Sequence, residues 1–265
     1  MNNTSQLLDV ATKAATEAGK FLKQNIGRVT NVQTKGGQER NLVSEIDRKS
    51  EEMIIRMIKQ SFPSHSILAE EGGTGAESSD YRWVIDPLDG TTNFLHGIPL
   101  YCVTIGVEYR GELVAGVVYD PNLDELFTAE RGSGAFLNGN RINVSRTGDL
   151  IHSMLVTGFP YDIAQNPDHA IERFIAFLKA SRAVRRLGSA ALDLCYVAAG
   201  RFDGFWEVNL HPWDTAGGLL IIEEAGGRVT DFAGAKGSIY KNQILATNSI
   251  IHNAMLEVLA GQRYN

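Results

Sequence analysis

The chain of 265 residues carries 25 Lys and Arg against 31 Asp and Glu, a formal charge of −6, with 43% hydrophobic and 21% charged residues. That balance is ordinary globular usage; it excludes disordered, collagen-like and coiled-coil chains, and net acidity argues against wrapping a phosphate backbone. No apolar run approaches the ~18–20 residues of a membrane span, the first five residues lack the basic and apolar character of a leader, and Cys102 and Cys195 make no disulfide framework, so a cytoplasmic setting is expected.

The spacing of Leu7, Leu8, Val10, Ala11, Ala14, Ala15, Ala18, Phe21 and Leu22 predicts a helix over 3–25. A loop containing Lys35-Gly36-Gly37 follows. A second helix is expected over 44–60, opened by the capping-box spacing of Ser44 and Asp47 and stopped by Pro63. The period then changes. Short buried strands are expected at 66–69 and 83–85, then an antiparallel meander at 102–109, 113–119 and 125–129, with tight turns around Gly132, Gly134 and Asn138-Gly139-Asn140. The second half alternates. Strand 154–157 precedes a helix over 168–180 with Ile171, Phe174, Ile175 and Leu178 on one face. Helix 189–199, strand 204–208, helix 214–225, strands 228–230 and 243–247 and a helix over 249–259 complete a layered α and β chain.

The densest chemistry lies in Trp83-Val84-Ile85-Asp86-Pro87-Leu88-Asp89-Gly90-Thr91-Thr92-Asn93-Phe94. A buried strand runs into two acids three residues apart, with Pro87 stiffening the backbone between them and Gly90 permitting a sharp turn. Thr91 and Thr92 then offer hydroxyls and N–H groups at a helix start, which suits an anion. Two carboxylates on one rigid turn call for a cation between them, and all-oxygen ligands favour Mg2+. Glu70-Glu71 ends an earlier strand, and Asp214 reads as the N-cap of an apolar helix. No Ser or Cys has a visible activating partner, which disfavours a covalent nucleophile.

With these stretches the sequence resembles the inositol monophosphatase family of Mg2+-dependent, lithium-sensitive phosphatases, in its bacterial-type branch. Similar segments are Ile67-Leu68-Ala69-Glu70-Glu71, the run from Trp83 to Phe94, Gly134-Ala135-Phe136-Leu137-Asn138-Gly139, Thr157-Gly158-Phe159-Pro160-Tyr161, Arg186-Leu187-Gly188-Ser189-Ala190-Ala191 and the run from Trp213 to Gly227. The resemblance implies a layered α-β-α-β-α sugar-phosphatase fold. Residues 1–147 would form an α+β half with most metal ligands, and residues 148–265 an α/β half with Asp214 and the substrate-recognition residues. It implies hydrolysis of inositol monophosphate by activated water, with two to three Mg2+ ions. Glu70, Asp86 and the Leu88 carbonyl would hold the first ion, and Asp86, Asp89 and Asp214 the second. Glu70 would hold a third through water. Thr91, paired with Asp47, would polarise the attacking water. Gly90 and Thr91 would hold the phosphate, and Asp89, Gly188, Ser189, Ala190, Glu207 and Asp214 would contact the substrate. A homodimer is also implied.

Other esters remain open: fructose 1,6-bisphosphate, histidinol phosphate, NADP or 3′-phosphoadenosine 5′-phosphate. Thr92-Asn93-Phe94 favours the inositol branch. A regulatory or RNA-processing accessory that binds protein through Arg182, Arg185 and Arg186 is the competing class; with Lys179 these form a basic cluster that equally reads as a solvated helix end or as steering for phosphate. Lys35 reads either as a phosphate neighbour or as exposed. Asn41 and Ser44 stand where the family usually has Asp and Thr, which bears on the third ion. Glu207 reads as a hydroxyl reader or a surface partner, His211 as packing, the two Cys as buried hydrophobes, and Gly132-Ser133-Gly134 as no dinucleotide site.

Overall fold

The computed structural model describes residues 4–28, 32–35, 38–72 and 79–261, without the side chains of residues 35 and 38–41. Gly36, Gly37 and the side chains of Lys35 and Asn41 therefore lie outside the described residues. Helix α1 (Thr4–Asn25) leads to a hairpin, β1 (Val32–Lys35) and β2 (Gln38–Ser44), and then to α2 (Glu45–Ser61). The hairpin stands where the sequence reads as loop. Val32, Gln33 and Thr34 are all exposed, so β1 has no apolar face to betray it. The capping box of α2 forms as expected: Ser44 accepts from the N–H of Ile46, and Asp47 accepts from the N–H of Ser44.

A seven-stranded sheet follows, in the order β3 (Ser66–Ala69), β4 (Tyr81–Asp89), β5 (Cys102–Tyr109), β6 (Glu112–Asp120), β7 (Glu125–Glu130), β8 (Gly134–Leu137) and β9 (Asn140–Ile142). Its first pair is parallel and the rest antiparallel; the short helix α3 (Thr91–Leu95) connects β4 to β5. The expected meander runs two strands further than its apolar alternation reveals. Strand β10 (Met154–Thr157), α4 (Ala170–Ala180), β11 (Ala183–Arg185), α5 (Ala190–Ala198), β12 (Gly204–Val208), α6 (Pro212–Glu224), β13 (Arg228–Thr230), β14 (Gln243–Thr247) and α7 (His252–Leu259) build a second sheet ordered β11-β10-β12-β14-β13 with its helices.

The layers run α1/α2, large sheet, α5/α6, small sheet, α4/α7, with three apolar cores: one between α1/α2 and the large sheet, one around α5/α6 that reaches both sheets, and one between the small sheet and α4/α7. Leu7, Ile54, Trp83 and Val103 pack in the first, Val118, Leu194, Leu220 and Phe205 in the second, and Phe177, Trp206, Leu245 and Met255 in the third. Each such side chain contributes ~1.5–3 kcal/mol on burial. Helix α6 lies close on the large sheet because Gly106 and Gly116 leave room for it. A Cβ on Gly106 would sit 2.5 Å from the Ala216 Cβ, and one on Gly116 would sit 2.7 Å from the Gly217 carbonyl oxygen.

Four helix expectations are corrected. Residues 167–169 form a separate 3-10 turn, so α4 begins at Ala170. The α4 face with Ile171, Ile175 and Leu178 is 43–48% exposed; the helix is rotated so that Phe177 packs on Trp206 at 4.1 Å between ring centroids. Helix α7 starts at His252, because Asn248 Oδ1 accepts the N–H groups of Ile250 and Ile251 and holds those residues in a turn. Asp214 is the third residue of α6, after N-cap His211 and Pro212.

Candidate active site

Strand β4 delivers Asp86, Leu88 and Asp89 to the edge of a cavity of about 160 Å3 that lies between the two sheets. Gly90 turns the chain from β4 into α3. Its φ of +97° is open to glycine, and a Cβ there would meet the Leu100 carbonyl oxygen at 2.9 Å. Glu70, Asp89, Gly90, Thr91, Gly188, Ser189, Ala190, Glu207 and Asp214 all line this cavity, which brings together residues far apart in sequence. Asp86, Leu88 and Asp47 are buried behind that wall.

Each of the three aspartates is anchored by backbone. The N–H of Leu88 donates to Asp86 Oδ1 at 2.9 Å, that of His211 to Asp214 Oδ2 at 2.7 Å, and that of Ala191 to Asp89 Oδ2 at 2.7 Å. Ser189 Oγ also donates to Asp89 Oδ2, at 2.7 Å, so its proton is committed to that carboxylate. Asp214 thus acts as the third member of a capping box, its carboxylate reaching back to His211, and still faces the cavity.

The acids perturb one another. Burial first, and then the charges of Glu70, Asp89 and Asp214, hold the Asp86 carboxyl well above the usual carboxylate range. Burial, Glu70 and Asp89 do the same to Asp214. Burial raises Asp89 to about 6 against the pull of its Ser189 and Ala191 hydrogen bonds. Among the described residues no three His, Cys, Asp or Glu side chains are already gathered into a metal cage. The fit to a cation rests instead on donor chemistry: converging carboxylates, a backbone carbonyl at Leu88, and raised proton affinities that a positive charge would relieve. Hard oxygen donors of this kind suit Mg2+ or Ca2+ over softer metals.

Asp47, 1% exposed, serves two roles at once. Its Oδ2 accepts from the Ser44 N–H at 2.9 Å, while its Oδ1 accepts from Thr91 Oγ1 at 3.2 Å. Thr91 Oγ1 also lies 3.0 Å from the Leu88 carbonyl oxygen, so its single proton is shared between two acceptors.

The cavity is also lined by Asp193 and Tyr161, to which sequence reasoning gave no role, and by Glu207 and Arg186. Asp193, 1% exposed in the apolar α5, has an Oδ1 with no hydrogen-bond partner; an acid inside an Ala- and Leu-rich helix was the signal for it. Burial, then Glu207 and Asp89, push its carboxyl well up. Glu207 on β12 is raised to about 8, chiefly by burial, with Arg186 drawing it back. Arg186 lines the cavity, which separates it from Arg182 and Arg185 in the basic cluster. Tyr161 is 46% exposed, yet its phenol faces Glu70, Asp214, Asp86 and Asp89, and burial with those charges holds its pKa up. His211 stacks on Trp213 with centroids 4.8 Å apart, the packing role expected of it. Cys102 and Cys195 are buried free thiols. Gly132 and Gly134 donate their N–H groups to Glu224 in the β7–β8 turn.

No helix among the described residues is long and apolar enough to cross a membrane. An inositol-1-monophosphatase of Mesorhizobium japonicum is 44% identical over 256 residues, covering 96% of each chain. A Nus factor SuhB of Pseudomonas aeruginosa is 42% identical over 258 residues, covering 96% of this chain and 95% of its own. The solved inositol monophosphatase of Anabaena (Nostoc) superposes with a TM-score of 0.88 at 43% identity, over 97% of this chain and 96% of that one. The family model for the inositol monophosphatase family matches residues 3–264, and with a fold and cavity of this kind the chain belongs to that family of metal-dependent phosphoric monoester hydrolases.

Proposed function

We propose that the cavity hydrolyses inositol monophosphate to inositol and phosphate. The observation that carries this reading is that one cavity is lined by two kinds of acid. Glu70, Asp89 and Asp214 belong to the segments that resemble metal-binding ones, while Glu207 and Asp193 are buried acids accompanied by Arg186. The first set suits cations that hold a phosphate. The second suits an uncharged polyhydroxy leaving group, whose hydroxyls pair with carboxyl oxygens.

Glu70, Asp86, the Leu88 carbonyl, Asp89 and Asp214 would hold two to three Mg2+ ions, which supply charge neutralisation at the phosphoryl and leaving oxygens and lower the pKa of the attacking water. The protein's own part is positional. Thr91 Oγ1 gives its proton to Asp47 or to the Leu88 carbonyl, so a lone pair remains to accept a hydrogen bond from water. The buried Asp47 carboxylate supports the build-up of positive charge on that relay. The N–H groups of Gly90 and Thr91 would hold phosphate oxygens, and Gly188, Ser189 and Ala190, which line the same cavity, would contact the substrate.

A panel of phosphate monoesters tests the reading. Turnover should be fastest on inositol monophosphate, vanish in chelator, return with Mg2+ and fall to background in Asp86→Asn. Millimolar lithium should inhibit. Turnover undiminished by chelator, or an active Asp86→Asn protein, would sink the mechanism. A protein-binding role is a second reading. The Nus factor relative favours it, as do Arg182 and Arg185, which are exposed beside and on the edge strand β11. Loss of partner capture in Arg182→Ala/Arg185→Ala with phosphatase turnover retained would support it.

A further inference from the structure

Gly158 follows β10 in the segment Thr157-Gly158-Phe159-Pro160-Tyr161, and Glu207 lies on the neighbouring parallel strand β12, one residue beyond the Thr157–Trp206 pair. The strands are tied there by Thr157 Oγ1, which donates to the Trp206 carbonyl at 2.5 Å. The three atoms nearest to a Cβ built on Gly158 are Oε1, Oε2 and Cδ of Glu207, all far inside van der Waals contact. Gly158 does not have a left-handed backbone, so its φ would tolerate any residue. What the position cannot tolerate is volume. The Gly158 backbone also offsets part of the burial that raises the Glu207 carboxyl. The missing side chain leaves a notch, and the carboxyl lies in it on the cavity wall.

We propose that Gly158 is a specificity-determining position: its notch holds the Glu207 carboxyl where a hydroxyl of the leaving group meets it, and any side chain at 158 moves that carboxyl away. The inference rests on Glu207 reading substrate hydroxyls. Gly158 itself is a positioning residue. The displaced group is the far end of a flexible side chain, so Gly158→Ala should fold and shift the carboxyl rather than break the strand. Its effect should therefore fall on selectivity between leaving groups.

The readout is the ratio of kcat/KM on inositol monophosphate to kcat/KM on p-nitrophenyl phosphate, at saturating Mg2+, for the wild type, Gly158→Ala, Glu207→Ala and the double variant. Gly158→Ala should lower the ratio at least ten-fold, and the double variant should match Glu207→Ala within about two-fold, because the clash needs both partners. A wild-type ratio in Gly158→Ala, or losses that multiply in the double variant, would overturn the proposal while leaving Glu207 in place. An unchanged ratio in Glu207→Ala would remove the hydroxyl-reading role and the proposal with it. If Gly158→Ala is insoluble, the double variant, which lacks the clashing carboxyl, should fold; an insoluble double variant also overturns the proposal.

Discussion

Asp47 shows how one carboxylate can hold a helix and the Thr91 hydroxyl together. Its two oxygens are divided between the Ser44 N–H and Thr91 Oγ1. Asp47→Asn keeps an oxygen for the cap but removes the anion that faces Thr91. Its melting temperature should stay near the wild type while turnover falls about 10²-fold or more. Asp47→Ala loses both and should also cost ~1 kcal/mol of stability. Steady-state kinetics beside thermal melts separate the two roles; wild-type turnover in Asp47→Asn would leave only the cap. Glu207 offers a pH test. Its folded pKa of about 8 lies above the 4.5 of an ordinary glutamate, so the folded chain holds that proton more tightly than the unfolded chain. Its contribution to stability is complete below about 4.5 and is lost as pH rises toward 8. In metal-free buffer, Glu207→Gln should therefore gain melting temperature relative to the wild type as pH goes from 5 to 8. A constant difference would mean the carboxyl is not buried in its neutral form. Asp86 and Asp89 were legible as two acids on one rigid turn, and Glu70 and Asp214 through the resemblance of their segments to the family. Asp193 and Gly158 were not, because their significance depends on what β12 places beside them.

At the scale of elements, α6 is the part that brings Asp214 to β4. Its apolar content was plain in the sequence, but its first turn was misread by two residues. His211 supplies the N-cap, and Asp214 reaches back to it from the third position. Its closeness to β5 and β6 depends on absent side chains, which no periodicity records. Gly106→Ala puts a Cβ 2.5 Å from that of Ala216 and should cost ~1–3 kcal/mol by overpacking. Ala216→Gly in that background should recover much of the loss, and turnover should follow, since Asp214 rides on the same helix. Denaturant midpoints and rates of the single and paired variants check this; two independent, additive losses would exclude the contact as the cause. The β1–β2 hairpin and the rotation of α4 were hidden for opposite reasons. Val32, Gln33 and Thr34 on β1 bury nothing, so no pattern marks it as a strand. Helix α4 carries more apolar residues than it buries, and the stack of Phe177 on Trp206 decides which face turns inward.

Across the whole molecule, the cavity is the place where the large sheet is tied to α5 through a carboxylate. Asp89 belongs to the large sheet, yet its Oδ2 takes hydrogen bonds from Ser189 and Ala191 at the start of α5, about 100 residues away in sequence. Asp214 and Glu70 come from two further stretches of chain, and burial with mutual repulsion raises the proton affinity of Asp86, Asp89 and Asp214. The unfolded chain separates these groups, so a divalent cation held by them would bind the folded state in preference. At a hundred-fold excess over its dissociation constant, one ion stabilises by about 2.7 kcal/mol, or roughly 5–10 °C in a protein of this size. The melting temperature should rise with Mg2+ and fall back in chelator. Asp89→Asn should behave unlike a core variant. Its amide oxygen still accepts from the Ala191 N–H, so the tie to α5 survives, and one repelling charge is gone. The protein should be inactive, at least as stable as the wild type without metal, and less responsive to Mg2+. Melting curves of both proteins across a Mg2+ titration decide the matter. A wild type that does not respond, or a metal-free variant that melts far below it, would show that these acids share no cation, and the assignment of the cavity's charged wall would fall with that result.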